Sequence, residues 1–254
     1  MTDLIVFNVA SNRYAMNIEN VQRIVQASEL TNIPNAHHFI DGMMSYEGKI
    51  IKILNFRKLI NVQTYEEELN TLFASLKAAH GDWVTALRVS LEKGTPFAKT
   101  LDPHACGLGK WIDSFTAYDD HVVEILNKLI EYHSRLHVTG GVALDVYKKD
   151  VQAAQKILNV EIAEIYEHTM GALDNFIKEM DVVANSLQKL IIYDNSGALF
   201  AIKVDTIEDI AHVEESTLIS ADNEHDVSEF LDLDGVLDLD GLLINVIKTV
   251  RLPK

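Results

Sequence analysis

The only cysteine of the chain, Cys106, sits in the stretch Asp102-Pro103-His104-Ala105-Cys106-Gly107-Leu108-Gly109-Lys110-Trp111. His80 precedes it by 26 residues, and His133 and His137 follow it by 27 and 31. Thiolate sulfur and neutral imidazole nitrogen are ligands that zinc favours, and three His with one Cys make a closed tetrahedral set with bonds of about 2.0–2.3 Å. His133 and His137 are four residues apart, so on a helix their rings point the same way about one turn apart. His80 and His133 also fall on the apolar stripes of their segments. A buried imidazole needs a partner, and a metal ion is one way to supply it. Spacing alone leaves other readings open. A lone helical histidine is more often a surface or hydrogen-bonded core residue, and an i,i+4 pair by itself is weak evidence. His104 is a rival ligand, although standing two residues before Cys106 makes joint chelation awkward. His37, His38, His121, His168, His212 and His225 read as ordinary loop or surface histidines.

The segments that must position these side chains are helical. From about Thr64 to Gln188 the apolar residues recur every three or four positions and β-branched runs disappear. Thr64-Tyr65-Glu66-Glu67 has capping-box form, with a hydroxyl for the first amides and Glu67 to reach back. Leu69, Leu72, Leu76, His80, Trp83 and Leu87 then mark one helix face. Val122, Ile125, Leu129, His133 and Leu136 mark another, for which Gly140-Gly141 supplies a stop signal. A third segment runs from Val151 to Val183. A short helix is expected after Asp102-Pro103, because proline suits a first helical position. Four such helices would make an antiparallel bundle.

On either side the pattern is β, and it is repeated. Tyr14-Ala15-Met16-Asn17-Ile18, followed by Val21 and Ile24, corresponds to Phe200-Ala201-Ile202-Lys203-Val204, followed by Ile207 and Ile210, at an offset of 186. A second pair follows in the same order, with Ile40-Asp41-Gly42 to Gly48 matching Leu233-Asp234-Gly235 to Gly241. Glycines six apart around alternating apolar residues indicate a strand between turns. The reading is an α+β chain in three parts: β residues 1–63, a helical insertion 64–188, and β residues 189–254.

Composition narrows the function. The net charge of −16 disfavours nucleic acid and anionic membranes, which need clustered Lys and Arg. Thirteen acidic residues and no Lys or Arg fall between Val204 and Asp240, which reads as a solvated face or a surface for a basic partner. No stretch approaches the roughly 20 apolar residues that span a bilayer. A single cysteine forms no internal disulfide, and the N-terminal apolar stretch is short for a signal sequence, so a cytoplasmic protein is expected.

His80-Gly81-Asp82-Trp83, Cys106-Gly107-Leu108-Gly109-Lys110-Trp111 and His133 to His137 together resemble the chemoreceptor zinc-binding (CZB) domain, over roughly residues 65–185. The resemblance implies a four-helix bundle whose Zn2+ is held by His80, Cys106, His133 and His137. The flanking halves resemble CheW, the adaptor that joins chemoreceptors to the histidine kinase CheA. Tyr14 to Ile18, Ile33-Pro34-Asn35-Ala36 and Gly42 to Phe56 carry that similarity, and Leu190 to Leu252 follow it more loosely. It implies a double β-barrel of SH3-like character. Where CheW proteins have Asn-Leu-Arg-Gly this chain has Ser45-Tyr46-Glu47-Gly48, so Glu47 reverses the charge of an arginine that contacts receptors, and Lys52 replaces a proline. Receptor docking is therefore in doubt, while coupling to a CheA-type kinase is expected.

The resemblances imply a non-enzymatic adaptor in chemotaxis-type signal transduction, tuned by zinc or by oxidation of the ligand cysteine, with zinc as a purely structural element the alternative. Homodimerisation is implied by the CZB similarity. A zinc enzyme fits poorly, since four protein ligands leave no open position for water and no His-Glu-x-x-His motif is present.

Overall fold

Alternation of apolar and polar residues folds the start of the chain into a hairpin, β1 (Thr2–Val9) and β2 (Asn12–Asn17), pairing Val9 with Asn12 across a two-residue turn. In the computed structural model, residues 2–27, 30–117, 119–213, 218–220, 229–239 and 241–253 are described. Further along come β3 (Val21–Gln26), β4 (Ile40–Tyr46), β5 (Lys49–Asn55) and the short helix α1 (Phe56–Leu59). After the helical region the pattern recurs in β6 (Lys189–Asn195), β7 (Ala198–Val204), β8 (Thr206–Val213), β9 (Leu218–Ser220), β10 (Leu231–Leu239) and β11 (Leu242–Val250). The chain is thus a mixed α+β protein. It divides into two compact units, Met1–Glu67 with Ala184–Lys254, and Glu68–Val183.

The β unit holds two sheets, in the orders β8-β1-β2-β11-β10-β9 and β3-β6-β7-β5-β4. The sequence repeat survives in three dimensions to the residue. Ala10 and Ser196, 186 apart, both take positive φ in the turns of their hairpins, at 53° and 54°. Gly48 and Gly241 do the same at 76° and 81°, a conformation that glycine adopts without steric cost. What the repeat does not announce is that its copies exchange strands. Ile24 pairs with Ile191, and their counterparts Ile210 and Ile5 pair in the other sheet. Ile53 lies beside Ala201 in parallel, and Val246 lies beside Ala15. Each sheet therefore joins the first hairpin of one copy to later strands of the other.

Strand alternation then sorts the core. Ile5, Phe7 and Val9 point into a cluster shared with Ile191, Tyr193, Phe200 and Phe56. Leu4 and Val6 face the opposite way, with Ala15, Leu237, Ile244 and Val246. That second cluster also takes in Val213 of β8 and Leu239 of β10, strands far apart in sheet order, so the sheet curls around it. The other sheet behaves alike, bringing Val25 of β3 and Met44 of β4 onto Ile53 and Ile192.

The helical unit consists of most of α2 (Tyr65–Lys93), then α3 (Gly107–Ser114), α4 (Asp120–Tyr147), and a long helix made of α5 (Val151–Lys156), a π-helical turn (Ile157–Ile162) and α6 (Ala163–Lys178). The helix α7 (Met180–Leu187) leads back to the β unit. The capping box forms: Thr64 N donates to Glu67 Oε2 at 2.8 Å and Glu67 N donates to Thr64 Oγ1 at 3.2 Å. Asp119 and Asp150 cap α4 and α5 by accepting from Val122 N and Ala153 N.

Two helix boundaries differ from the sequence reading. The short helix starts at Gly107, because Cys106 rather than Asp102 occupies its cap position and the preceding residues form a turn. α4 runs through Gly140 and Gly141 to Tyr147. Gly140 is there for proximity: a Cβ at this position would lie 2.3 Å from the Trp83 ring. Trp83, Leu87, Leu136, Ala143, Leu158 and Ile165 form one apolar cluster of the unit. Phe73, Trp111, Phe115 and Phe176 form an aromatic one, with ring centroids 4.6–6.2 Å apart. Along α2, His80 falls between Phe73 of the second cluster and Trp83 of the first.

Candidate metal centre

The four residues singled out by type and spacing converge. His80 on α2, Cys106 at the start of α3, and His133 and His137 on α4 each offer a ligand atom, and these atoms lie within 4.8 Å of one another. Three of the four side chains are buried and Cys106 is half-buried. The imidazole centroids of His80, His133 and His137 are 4.8–5.8 Å apart, with the rings steeply inclined to each other.

Each side chain is oriented by its own surroundings. His80 Nδ1 is 2.7 Å from the Leu76 carbonyl, one helical turn back, so that nitrogen carries the proton and donates. Nε2 is left as a bare lone pair, 3.8 Å from Cys106 Sγ. His133 Nε2 lies 3.2 Å from the same sulfur. In a tetrahedral site with bonds of about 2.3 Å to sulfur and 2.0–2.1 Å to nitrogen, sulfur and nitrogen would stand about 3.6 Å apart. The two observed separations bracket that value. Cys106 Sγ accepts from Gly109 N at 3.3 Å, so the sulfur also caps α3. Gly109 is sterically obligatory, since a Cβ there would lie 1.8 Å from the Pro103 carbonyl oxygen.

His137 supplies the most direct sign of a missing partner. Both of its ring nitrogens are buried, and neither makes a hydrogen bond among the described residues. Its ring leans on Trp83, 4.8 Å between centroids. The nearby Thr100 carbonyl, which opposes that burial by raising His137's basicity, already accepts from Trp83 Nε1 at 2.7 Å. A buried polar group without a partner costs free energy that a metal bond would recover.

Electrostatics point the same way. Burial, with the neighbouring imidazoles, pushes His133 down to about 3. Burial and His80 push His137 down to about 4, and burial lowers His80 against the opposing pull of its bond to Leu76. All three rings are neutral at pH 7, as metal ligation requires. Burial pushes the Cys106 thiol up, partly offset by the Gly109 and Leu108 amides. A metal ion is the charge that would draw its proton off. The donor set, the spacing and the orphaned His137 nitrogens fit a tetrahedral ion, and this cluster can hold a metal.

The rival ligand is elsewhere. His104 Nδ1 faces both carboxylate oxygens of Asp113 at 3.0 Å, and its side chain is 72% exposed. Of the other histidines, His212 faces Asp3, His168 packs at a tilt against Tyr132, and His121 lies 3.6 Å from Glu179. His37 is less ordinary than its loop position suggests, packing against Phe39 and Phe230 with a buried Nδ1 that has no partner among the described residues. His225 lies outside the described residues, as do Glu214, Glu215, Asp222, Glu224, Asp226 and Asp240 of the acidic stretch. The supporting positions Leu76, Gly109 and Gly140 were not legible as such, because a backbone carbonyl and a close approach leave no chemical signature in sequence.

Glu47 and Gly48 form the two-residue turn between β4 and β5, with φ of 49° and 76° and Tyr46 paired to Lys49. Primed hairpin turns have this pair of positive φ values. The charge-reversing residue therefore stands exposed at a hairpin tip, and Lys52 is exposed on β5. No helix among the described residues is long and apolar enough to cross a membrane.

Residues 3–90 match the model of the CheW-like domain family. The chain is 20% identical to the chemotaxis protein CheW of Thermotoga maritima over 73 residues, covering 29% of this chain and 48% of that protein. It is 24% identical to the chemotaxis protein CheW of Bacillus subtilis over 83 residues, or 32% and 53% of the two. The chain spans about half the length of the curated relatives it matches. Among solved structures it is similar to the scaffolding protein TtCheW from Thermoanaerobacter tengcongensis, at 12% identity and a TM-score of 0.47, over 98% of this chain and 90% of that one.

Proposed function

We propose that this protein is a cytoplasmic CheW-like signalling adaptor whose partner binding is tuned by a zinc ion held in an inserted four-helix bundle. The adaptor half of the reading is supported by the CheW-like match over residues 3–90 and by relatives that are chemotaxis proteins. The regulatory half is carried by one observation: a thiol and three neutral imidazoles converge, and His137 is buried with both nitrogens unsatisfied. A bound zinc ion would supply a fixed positive charge and four directional bonds. The residues of the chain do the rest. Leu76 sets the tautomer of His80, the Gly109 amide holds Cys106 Sγ, and Trp83 backs the ring of His137.

Cys106 is the one ligand of the four that is not fully buried, and sulfur is the most oxidisable of the donors. A two-electron oxidant such as hypochlorous acid would convert the thiolate to a sulfenic acid with release of chloride, and loss of a proton then gives the sulfenate. The sulfenate is a poorer ligand, and its oxygen would compete for the Gly109 amide that holds α3. Four protein ligands leave a tetrahedral ion no open position, which favours a scaffold over a zinc enzyme. Glu47 at its hairpin tip favours a kinase over a receptor as the partner.

The test measures affinity for a CheA-type histidine kinase with zinc bound, with zinc removed by a chelator, and after oxidation. A several-fold difference between these states is expected. Equal affinity in all three would leave zinc a structural role, and no binding in any state would remove the adaptor reading.

A further inference from the structure

The β unit contains both points where the chain departs for and returns from its helical segment, and one buried ion pair touches both. Arg57, at the end of β5 in α1, is fully buried, and Asp205, between β7 and β8, is nearly so. Arg57 Nε donates to the two Asp205 oxygens at 2.8 and 3.0 Å, and Nη2 donates to Oδ2 at 2.6 Å. On the departing side, Arg57 Nη1 donates to the Gln63 carbonyl at 3.0 Å, and the guanidinium lies 4.7 Å from the centre of the Tyr65 ring. On the returning side, Gln188 Nε2 donates to Asp205 Oδ1 at 3.2 Å. The same carboxylate accepts from Ala10 N at 2.7 Å, which ties it to the β1–β2 turn.

A buried pair of this kind gives little net stability over an apolar substitute, but removing one partner leaves the other charged and unsolvated. Its value lies in geometry. A planar guanidinium and a carboxylate accept few mutual arrangements, so whatever they hold is held in one register. Here they hold Gln63 and Tyr65 on one side and Gln188 on the other, and Gln63 and Gln188 are 125 apart in sequence.

We propose that Arg57 and Asp205 form a latch joining the two ends of the helical segment, so that departure and return gain and lose order together. A displacement that pulls on one end is then transmitted to the other and, through Ala10, to the first hairpin. The latch goes beyond the adaptor reading and does not depend on zinc or on any partner.

Hydrogen exchange on the full-length chain tests it. Gln188→Ala removes only the grip on the returning side. The latch predicts about tenfold faster exchange in peptides covering residues 185–189 and, equally, in those covering 60–67, through local opening of one unit. Peptides within β6 and β7 should keep their protection. Asp205→Asn should give the same pattern with a larger change, and if that variant fails to fold, Gln188→Ala carries the test alone. Loosening of 185–189 with 60–67 unchanged would overturn the latch. So would a uniform loss across β6 and β7, which would mark the pair as a general contributor to the core.

Discussion

The β unit and the helical unit both bury polar side chains, and they satisfy them differently. Among the described residues of the β unit, buried charges find their counter-charges in the same chain: Arg57 pairs with Asp205, and Lys203 pairs with Asp41. In the helical unit three imidazoles and a thiol face one another, and among the described residues neither buried ring nitrogen of His137 has a well-formed hydrogen bond. Interiors tolerate polar groups only when these are paired. A self-satisfied network therefore indicates an architectural role, and a convergent, half-satisfied one indicates a ligand.

The comparison can be broken most strongly from the β side. Arg57→Met leaves Asp205 buried without its counter-charge and is expected to cost about 3–5 kcal/mol in urea unfolding of the β unit. A loss under about 1 kcal/mol, the scale of an exposed pair, would mean the network is not what holds that region.

In the helical unit, Gly140→Ala sets two effects against each other. Helix propensity alone favours alanine by about 1 kcal/mol. The added Cβ would lie 2.3 Å from the Trp83 ring that backs His137. Overpacking is expected to win, with a net loss of about 1–3 kcal/mol in thermal unfolding. A stabilised variant would show that the close approach is not a constraint.

Acid should act on the β unit through Asp41. Burial alone would raise its carboxyl, but Lys203 and Lys58 outweigh burial and hold it below the ordinary carboxylate range. A folded value below the unfolded one, about 3.9, contributes stability that is complete above that pH and lost as pH falls through the folded value. The urea midpoint of the β unit should therefore drop on acidification below about pH 4, and Asp41→Asn should flatten that dependence. An unchanged pH profile in the variant would assign the acid sensitivity elsewhere.

The smallest effect sharpens the metal set. His104→Ala removes an exposed imidazole paired with Asp113, and should leave zinc affinity within about twofold and stability within about 0.5 kcal/mol. A tenfold loss of affinity would put His104 among the ligands.

Much of this was legible in the sequence where one residue type has one physical use. Glycines and turn residues at matched offsets marked the duplication, and Thr64 with Glu67 announced a helix start that forms as written. The exchange of strands between copies was not legible, because pairing such as Ile53 with Ala201 joins distant segments whose local pattern is the same whichever partner they choose. Gly140 read as a helix stop since a glycine needed for close approach looks like one needed for a turn. Spacing made His104 awkward without excluding it, and the CZB resemblance implied the other three histidines; His104 faces Asp113. Arg57 and Asp205 gave no signal at all, being two ordinary charges 148 residues apart.

The most direct test of the central claim is zinc content together with X-ray absorption at the zinc edge on the purified full-length protein. The account predicts about one zinc per chain, with a single sulfur at about 2.3 Å and three nitrogens at about 2.0–2.1 Å, and loss of the sulfur shell in Cys106→Ser. A protein purified without metal that also fails to take up added zinc, or a bound ion surrounded only by oxygen, would contradict it.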